Sequence, residues 1–471
     1  MSRASVLAID LGTSRVKVAL VDQDLVVRAS ASRPYATLTE EPGQAEQRVG
    51  DWTEGIRSAL TELGEEAGAA RAVALTGQMP TLVALDANRE VVGPAVTWQD
   101  SRADELVEAR LDDAQRRRFA QLSGAPIDGR YLVPMHLRRG GLASTLLSAR
   151  DYLFCWLTGE LATEPSTASG YGVYDLARAA WSEELLGVLD VPSGLLPPVV
   201  GSTHHAPLLE DRLPGLRSGT PVVLGGADSV CAHHWLEQEV GPGVSIIDGS
   251  STVILATWPA DRPRPEQVLV TPLAGPGRVG VELDLLATGS SIGWLARLVG
   301  RSAAELEALA LSHPDPAHCG ALALPYLAGG EQGALWRSDL TGTLAGLTLS
   351  TSPADLALAL FEAIAFETWR CLLATSLEGE PLTCVAAPDS GLLRPAILTH
   401  LAEAPVRALR GVSPSVLGAA RLAFESLGLE AGGSAPSPEV LPALDPHYSE
   451  VLGSRLERYL EVAPALSAAP R

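Results

Sequence analysis

The fold of this chain is decided by a stretch near its start, Val6–Ser14, which reads VLAIDLGTS. A buried-type strand leads into Asp10 and Gly12, and the β-prone run Val16–Val21 (VKVALV) follows. Glycine permits a tight turn between two antiparallel strands, because it has no side chain to hinder the backbone. The stretch therefore predicts a β-hairpin with an aspartate and hydroxyl residues at its turn.

A second copy of this pattern begins about halfway along the chain. Residues 244–251 read VSIIDGSS, and the strand-like run 252–256 (TVILA) follows them. The turn-rich segment 240–243 (VGPG) stands just before, where a linker between domains is expected. Two hairpins of one kind, each opening about half of the chain, predict two related domains facing one another. The alternative is a chance match, since a strand followed by Asp and Gly is common.

Length and composition fit two α/β domains. The chain has 471 residues, of which 46% are apolar, so each half can bury a core of its own. We find no apolar run of the roughly 20 residues that a bilayer requires, and no signal peptide, so we expect a cytoplasmic protein. The formal net charge of −21 argues against partners such as nucleic acid or anionic membranes, which require basic patches. It does not exclude a phosphate pocket, which uses local backbone N–H groups and a metal ion.

Cysteines and histidines give no sign of a metal site. The five cysteines are scattered without a CxxC pair, as expected for buried thiols in a reducing compartment. The pairs His204-His205 and His233-His234 lack metal-site spacing, and adjacent residues do not share a helix face. The sequence also lacks the motifs of P-loop, dinucleotide-binding and serine hydrolase proteins.

Strand and helix patterns alternate between the two hairpins, which is typical of an α/β protein. The predicted strands are Arg71–Thr76, Val91–Thr97 and Pro221–Gly226, and the predicted helices are Asp51–Ala69, Ser101–Leu122, Pro353–Leu373 and Pro414–Leu427. We expect Ser352 to cap the third helix, with Pro353 at its first position. The glycine- and proline-rich segment 431–438 predicts a loop that leads into a partly disordered tail.

The turn of the first hairpin can bind phosphate. Gly12 lets the backbone come close, and the amides and hydroxyls of Thr13 and Ser14 can donate to phosphate oxygens. Asp10 can hold a magnesium ion through water, since this cation prefers carboxylate and water oxygens. The alternative is an ordinary turn in which Asp10 bonds its own backbone. The phosphate interpretation is favoured by the same residue types at the second turn: Gly249, Ser250 and Ser251.

Asp228 is a second candidate for chemistry. It follows a Gly-Gly-Ala sequence at the end of a predicted strand and precedes a helix-like run. It can act as a general base, taking the proton of a sugar hydroxyl while that oxygen attacks phosphorus. It can also be a helix N-cap, for which Asp is a preferred residue. Local sequence alone leaves both interpretations open.

Two polar segments, 77–80 (GQMP) and 97–102 (TWQDSR), lie at the carboxyl ends of predicted strands. Ligands of open α/β sheets bind at such ends. Trp98 offers a flat face for the C–H surface of a sugar, and hydroxyl-binding groups come from Gln78, Asp100 and Arg102. The alternative is a buried tryptophan and a surface ion pair.

Taken together, these residues resemble the FGGY family of carbohydrate kinases, most closely its xylulokinase branch. The likeness covers roughly residues 5 to 428 and rests on the order and spacing of short motifs: Ile9–Ser14, Gly77–Met79, Trp98–Arg102, Arg150–Leu153, Leu157–Glu160, Gly225–Asp228, Asp248–Ser251 and Gly346–Thr348. The resemblance implies two duplicated actin-like (ribonuclease-H-like) domains facing across a cleft. The implied ranges are a sugar-binding domain over 1–240, a nucleotide-binding domain over 241–430 and a tail over 431–471.

The resemblance also implies an activity and roles for matching residues. The activity is ATP-dependent phosphorylation of a small sugar or polyol, such as the pentulose D-xylulose. Magnesium is the implied metal cofactor, and a homodimer is a possible assembly. Asp228 would be the catalytic base and Asp10 the magnesium-side carboxylate. The implied sugar-site residues are Gln78, Met79, Trp98, Asp100, Arg102, Asp228 and Ser229. The implied nucleotide-site residues are Gly12, Thr13, Ser14, Gly249, Ser250, Ser251 and Gly391.

Three departures from the family pattern qualify these roles. Pro80 stands where xylulokinases have His, and Ser229 stands where that branch has Asn. The segment Ala386–Gly391 (AAPDSG) replaces a glycine-rich stretch beside adenine. We therefore expect an altered sugar preference and weaker recognition of the nucleotide base. A family member that binds its ligands without turnover stays an alternative, as does a kinase for another small metabolite; intact Asp10 and Asp228 favour the enzyme.

Overall fold

The computed structural model describes residues 4–141, 143–265, 268–337, 339–387, 391–433 and 436–467. The chain forms two compact units. The first unit comprises residues 1–240, 269–280 and 413–435, and the second comprises residues 241–268, 281–412 and 436–471. The chain thus returns to the first unit twice after residue 240. The assignment of sugar to the first domain and nucleotide to the second stays a prediction.

The strands of the described residues are, in chain order, β1 (Ser5–Leu11), β2 (Arg15–Asp22), β3 (Val27–Pro34), β4 (Glu46–Gln47), β5 (Val73–Gly77), β6 (Thr81–Leu85), β7 (Ala95–Thr97), β8 (Thr145–Ser148), β9 (Tyr174–Asp175), β10 (Ala180–Trp181), β11 (His205–Pro207), β12 (Pro221–Ala227), β13 (Val244–Asp248), β14 (Thr252–Thr257), β15 (Leu269–Pro272), β16 (Val279–Leu285), β17 (Leu322–Leu324), β18 (Thr343–Ala345), β19 (Leu382–Ala386) and β20 (Val406–Arg410).

The α-helices are α1 (Val49–Leu63), α2 (Asp104–Arg110), α3 (Asp113–Ser123), α4 (Leu132–Arg139), α5 (Ala149–Thr158), α6 (Pro165–Ser169), α7 (Glu183–Leu189), α8 (Asp228–Glu239), α9 (Gly289–Leu298), α10 (Ala303–Leu311), α11 (Pro353–Thr375), α12 (Leu393–Leu401), α13 (Pro414–Ser426) and α14 (Pro446–Ser467). Short 3₁₀ helices span Gly64–Ala69, Ser193–Leu195 and Pro316–His318.

The main sheet of the first unit has the strand order β3-β2-β1-β5-β12-β11. The first three strands of the chain form an antiparallel meander, β5 runs parallel to β1, and β12 runs parallel to β5. Apolar residues of β1 and β5 are fully buried, including Leu7, Ile9 and Leu75. Such near-continuous apolar strands are typical of a sheet covered on both faces. Trp52 and Ile56 of α1 lie in the same core.

The sheet of the second unit repeats this arrangement. Its strands run in the order β16-β14-β13-β19-β20. The hairpin β13–β14 is antiparallel, and β19 and β20 continue parallel to β13. In both units, the first strand of an antiparallel hairpin is followed in the sheet by two strands that run parallel to it. The predicted α/β class, the two hairpins and the duplication are confirmed.

Between β5 and β12, the first unit carries a long insertion. It includes a small sheet of order β4-β7-β6-β8, completed by β4 from an earlier part of the chain. A second apolar core forms here around side chains such as Leu82, Phe119 and Tyr171. The insertion also contains α5 and α6, which pack against β12.

Several predicted elements differ from the structure in their bounds. The helix predicted over 101–122 is two helices, because Asp112 and Gln115 form a capping box that starts α3. The helix predicted over 51–69 changes from α to 3₁₀ at Gly64. The strand predicted over 91–97 shortens to β7, and β6 was not predicted.

The C-terminal tail is more ordered than expected. Residues 446–467 form the helix α14, so the expectation of a partly disordered tail is wrong for this part. Tyr448 and Tyr459 are buried, and their hydroxyls donate to Glu362 and Glu367 of α11, at 2.9 and 2.7 Å. These bonds lie within the second unit.

Other features agree with the sequence analysis. Ser352 caps α11 through a capping box, with Pro353 in the first turn, as predicted. The cysteines Cys155, Cys231, Cys319, Cys371 and Cys384 are all free and buried, as predicted. None of the helices formed by the described residues is long and apolar enough to cross a membrane.

Candidate functional site

Two candidate carboxylates lie at one edge of the first unit's main sheet. Asp10 of β1 is in register with Thr76 of β5, which is in register with Gly226 of β12. Asp228 follows two residues after Gly226, at the start of α8. Neighbouring strands lie about 4.8 Å apart, so two strand spacings separate the ends that carry Asp10 and Asp228, about 10 Å. The parallel arrangement of these three strands brings together residues that are far apart in the sequence.

The two carboxylate oxygens of Asp10 differ in their hydrogen bonding. Its Oδ2 accepts a 2.7 Å hydrogen bond from Ser415 Oγ. Its Oδ1 is inaccessible to solvent and accepts no hydrogen bond from the described residues. Burial raises the pKa of Asp10, against the lowering effects of the Ser415 bond and the Lys17 charge. A buried carboxylate oxygen without a donor fits a hard cation such as magnesium, so Asp10 can hold this ion.

The turn after Asp10 is held by side chains from outside the hairpin. The Gly12 N–H donates to the Arg15 carbonyl at 3.1 Å, and the Tyr35 hydroxyl donates to the Gly12 carbonyl. Trp98 Nε1 donates to Thr13 Oγ1 at 3.1 Å, which leaves the Thr13 hydroxyl proton available to another acceptor. A Cβ on Gly12 would lie 3.3 Å from the Arg15 carbonyl oxygen, so a larger residue would crowd the turn.

Tyr35 was not predicted from the sequence. Burial and the charges of Asp10 and Asp228 raise the pKa of Tyr35 well above its ordinary value. The phenol is therefore protonated at neutral pH and serves as a donor to Gly12.

Gln47 is a second residue that the sequence analysis missed. It is fully buried, and its Nε2 donates to the Thr13 carbonyl at 2.7 Å. Its Oε1 accepts from Gln78 Nε2 at 3.0 Å and from Trp52 Nε1 at 3.2 Å. Gln47 thus connects the phosphate-type turn with Gln78. The Oε1 atom of Gln78 is buried and accepts no hydrogen bond from the described residues, so it can accept one from a ligand hydroxyl.

Asp100 and Arg102 are bonded to each other. The Asp100 carboxylate accepts from Arg102 Nε and Nη2, at 3.0 Å and 2.6 Å to Oδ2, and from the Ala45 N–H at 2.9 Å. Arg102 Nη2 also donates to Glu46 Oε1 at 2.5 Å. The hydrogen bond to Asp100 raises the pKa of Arg102 above its ordinary value. Both charges are already paired here, and their role in binding substrate stays a prediction.

The remaining sugar-site candidates lie nearby in the first unit. Met79 and Pro80 follow Gln78 directly, are half-buried, and are joined by a cis peptide bond. A Cβ on Gly170 would lie 3.0 Å from Met79 Cγ, so the methionine packs on this glycine. Ser229 is buried next to Asp228.

Asp228 is the first residue of α8, and the N-cap position belongs to Ala227. The N-cap alternative for Asp228 is therefore wrong. Its Oδ1 accepts from the Ser229 N–H at 2.8 Å. The strand before it requires glycine, because Gly225 has φ of +71° and a Cβ there would lie 1.8 Å from the Leu75 carbonyl oxygen.

In the second unit, the turn of the second hairpin presents exposed backbone. The Gly249 N–H donates to the Ser251 carbonyl at 2.8 Å. The Ser250 carbonyl accepts the N–H groups of Thr288 and Ser290, both at 3.1 Å, which ties the turn to the start of α9. Gly249 and Ser250 are exposed, as a phosphate-binding turn requires.

Asp248 is the counterpart of Asp10 in the second hairpin, but its surroundings differ. Arg394 donates to both of its oxygens, at 2.9 and 2.8 Å, in a bidentate pair. Thr252 Oγ1 donates to Asp248 Oδ1 at 2.7 Å. One oxygen of Asp10 accepts no hydrogen bond from the described residues, whereas both oxygens of Asp248 are paired with the Arg394 guanidinium.

The predicted adenine segment is described only in part. Pro388, Asp389 and Ser390 lie outside the described residues. Ala386 is buried at the end of β19, so its methyl group belongs to the core and does not account for the weaker base recognition expected of this segment. The Gly391 N–H donates to Glu307 Oε2 at 2.7 Å.

The histidine pairs form ordinary contacts. His204 Nε2 lies 2.7 Å from Glu160, and His234 Nε2 lies 3.2 Å from Glu425. Burial lowers the pKa of His233 to about 4, so it is neutral at pH 7. Within the part of the chain that the structure describes, the histidine pairs belong to no cluster of metal-type ligands.

One such cluster was not predicted and lies in the second unit: His313, Cys319 and Asp355. The Asp315 N–H donates to His313 Nδ1 at 3.1 Å, so Nε2 carries the ring proton and donates to Asp355 Oδ1 at 3.1 Å. Since neither ring nitrogen has a free lone pair, hydrogen bonding accounts for this cluster.

Known proteins match both units. The model of the FGGY family of carbohydrate kinases, N-terminal domain, matches residues 5–233, and the C-terminal domain model matches residues 244–427. A xylulose kinase of Lactococcus lactis subsp. lactis is 27% identical over 379 residues, covering 77% of this chain and 75% of that protein. A glycerol kinase of Methylibium petroleiphilum is 29% identical over 468 residues, covering 90% of this chain and 91% of that protein. The crystal structure of a ligand-bound xylulose kinase from Lactobacillus acidophilus has a TM-score of 0.85 at 20% identity and covers 99% of both chains.

Proposed function

The chain belongs to the FGGY family of carbohydrate kinases, and we propose that it transfers the γ-phosphate of ATP to a hydroxyl group of a small sugar or polyol, with the pentuloses as the first class of candidates. The observation that carries this proposal is the placement of Asp10 and Asp228 at one sheet edge, beside a hairpin turn rich in donors. Phosphoryl transfer needs little more than positioned charges and a base for the attacking hydroxyl.

Asp228 is the proposed general base. It begins a helix, and the partial positive charge of a helix N-terminus stabilises a carboxylate. In this role, its carboxylate accepts the proton of the substrate hydroxyl while the hydroxyl oxygen bonds to the γ-phosphorus and the bond to the ADP oxygen breaks. General-base catalysis contributes about 10²–10⁴-fold to a rate.

The turn Gly12–Ser14 is the proposed phosphate contact in the first unit. Thr13 can donate its hydroxyl proton, because Trp98 already supplies the hydrogen bond that Thr13 accepts. Asp10 is the proposed magnesium-side carboxylate, since no donor among the described residues bonds its Oδ1. Magnesium bound there supplies positive charge that offsets the charge of the phosphate oxygens.

The second unit is the proposed nucleotide side. Gly249 and Ser250 are exposed at a turn that α9 holds in place. The Gly249 N–H is used within the turn, so the proposed backbone donor for phosphate is the N–H of Ser250. The bidentate pair of Arg394 with Asp248 stabilises the strand end just before this turn.

The sugar side offers few polar groups. Gln78 Oε1 is a buried acceptor that no donor in the described part of the chain bonds, and the ring of Trp98 is half-buried beside the turn. Pro80 supplies no hydrogen-bond donor, so the pocket lacks the ring that a histidine would place there. These groups suit a small polyhydroxy compound, which agrees with the xylulose and glycerol kinases among the relatives. The relatives reported above are kinases by name, and they lend no support to a non-catalytic role.

A coupled assay of ADP release tests the proposal. The panel contains pentuloses, glycerol and longer polyols, and sugar acids, each with ATP and magnesium. We expect at least one ketose or polyol to be turned over with saturation kinetics, and the Asp228→Asn variant to lose this activity. Acceptor-dependent ADP release that is equal in both proteins would contradict the assignment of the base. Failure of every acceptor would contradict the proposed substrate class.

A further inference from the structure

The strand that leads to Asp228 is irregular just before it. The register of β12 against β5 shifts between Val223 and Gly226, so that Leu224 and Gly225 lie in a bulge. A bulge re-aims the chain that follows it, and bulges are over-represented next to active sites. The direction of the Asp228 side chain therefore depends on how the backbone of residues 224–227 is held.

Arg150 holds the first half of this bulge. Arg150 belongs to α5 and its side chain is buried. Its Nη1 donates to the carbonyls of Leu224 and Gly225, at 2.8 and 3.0 Å. Nη2 donates to Asp151 at 2.6 Å and to Thr167 Oγ1 at 2.8 Å. One guanidinium thus ties two successive carbonyl groups to α5 and α6.

Ser166 holds the second half. Its fully buried hydroxyl accepts the Ala227 N–H at 3.0 Å and donates to Glu164. Glu164 is itself buried and accepts the backbone N–H groups of Ser166 and Thr167, at 3.0 and 2.9 Å. Ala227 directly precedes Asp228, so this hydrogen bond is one peptide unit from the proposed base.

We propose that Arg150 and Ser166 are positioning residues for Asp228, which fix the bulge so that the carboxylate faces the reacting hydroxyl. This inference rests on the proposed role of Asp228 as the base. A buried ionic network is weak as a source of stability, since well-packed apolar residues often replace one without loss. Here Arg150 and Ser166 bond three backbone groups within the four residues that precede the base, at residues 224, 225 and 227. The family resemblance included the motif Arg150-Asp151 but implied no role for it; in this proposal, Arg150 helps to position the base.

A pair of matched variants tests this proposal. Ser166→Ala and Ser202→Ala each remove a buried hydroxyl that donates to Glu164, but of these two hydroxyls only that of Ser166 also accepts the Ala227 N–H. The Ser202 carbonyl accepts the Gly225 N–H, and the alanine variant keeps this backbone bond. We expect Ser166→Ala to lower kcat by about 10- to 100-fold, as small misplacements of a catalytic group do, with little change in KM for the sugar. We expect Ser202→Ala to keep kcat within about twofold of the wild type. Equal losses of kcat in both variants would overturn the proposal.

A double-mutant cycle with Asp228→Asn separates positioning from general damage. If Ser166 acts through Asp228, then Ser166→Ala causes no further loss of kcat once the base is absent. The same fold loss in both backgrounds would overturn the proposal. Wild-type kcat in Asp228→Asn alone would instead show that the base is misassigned, which is a failure of the proposed function.

Crystal structures of the two serine variants give a readout that does not depend on turnover. Displacement of the Asp228 carboxylate in Ser166→Ala, and not in Ser202→Ala, supports the proposal. An unmoved carboxylate in Ser166→Ala overturns it.

Discussion

The Ser415 hydroxyl donates a 2.7 Å hydrogen bond to Asp10 Oδ2, although the two residues are 405 positions apart in the chain. Ser415 lies in the first turn of α13, which packs against β1 within the first unit. Ser413, just before this helix, accepts a hydrogen bond from Lys17, the cross-strand partner of Asp10. A segment from near the C-terminus therefore completes the surroundings of the proposed magnesium-side carboxylate.

Ser415→Ala should weaken the use of magnesium and ATP. Loss of this bond frees the Asp10 carboxylate to move, so we expect KM for ATP with magnesium to rise several-fold and the free energy of unfolding to fall by about 1 kcal/mol. The matched control is Ser426→Ala, at the other end of α13, where the hydroxyl bonds the exposed Thr203 carbonyl. Steady-state kinetics measures KM for ATP in both variants. An equal change of KM in the two would contradict the role of Ser415 in holding Asp10.

The local parts of the site were predictable from the sequence, and the long-range parts were not. The hairpin of Asp10 and Gly12 depends on neighbours in the chain, so its strand pattern and glycine predict it directly. Gln47 and Ser415 reach the site only through the pairing of distant elements, and nothing around them in the sequence distinguishes them from other polar residues. Asp228 was predictable in part. The glycine-rich strand end before it can be read from the sequence, but its position at the same sheet edge as Asp10 depends on the order of the strands.

Two errors in the fold have simple physical causes. The break between α2 and α3 carries a signal that was overlooked, since Asp112 stands three residues before Gln115, as in a capping box. The helix α14 was missed because the proline-rich segment before it suggested disorder. Its buried tyrosines satisfy their hydroxyls on acidic groups of α11, which no local pattern shows.

Breaking the pair of Arg394 and Asp248 should destabilise the second unit strongly. Both side chains are nearly inaccessible, so Arg394→Met leaves a buried carboxylate without its cation, at a cost of about 3–5 kcal/mol. The double variant Arg394→Met/Asp248→Asn should recover much of this loss. Urea unfolding measures each free energy. The control is Arg410→Met, which breaks the largely exposed pair with Glu439 and should cost about 1 kcal/mol or less. Similar losses for Arg394→Met and Arg410→Met would contradict the expectation.

Glu331 should make the stability of the protein depend on pH. Burial raises the pKa of Glu331 from 4.5 to about 7, although backbone N–H groups of Leu335 and Trp336 donate to it at 2.8 and 2.9 Å. A carboxyl group with a raised folded-state pKa takes up a proton on folding. Its contribution to stability is therefore fully present below pH 4.5 and is lost as the pH rises through about 7, by roughly 3 kcal/mol in total.

The variant Glu331→Gln removes this titration and keeps an oxygen for both N–H donors. We expect its Tm, relative to that of the wild type, to rise between pH 5 and pH 7 and to level off by pH 8. A constant difference in Tm across this range would show that Glu331 does not titrate there.

D-Xylulose should be a poorer substrate than the best acceptor of a broad panel. Pro80 and Ser229 stand where the resembling xylulokinases carry histidine and asparagine, so the pocket lacks two polar groups that can reject or select a ligand. Values of kcat/KM for pentuloses, glycerol and sugar acids test this. If D-xylulose has the highest kcat/KM of the panel, the two departures are neutral.

The most direct test of the whole account is the kcat of Asp228→Asn, measured with the best acceptor, ATP and magnesium. Asparagine preserves the shape of the side chain but cannot accept the hydroxyl proton. We predict a loss in kcat of about 10²–10⁴-fold. We also predict a Tm within a few degrees of the wild type, because the asparagine oxygen can still accept the Ser229 N–H. A kcat close to that of the wild type would contradict the claim that this chain phosphorylates its substrate with Asp228 as the base.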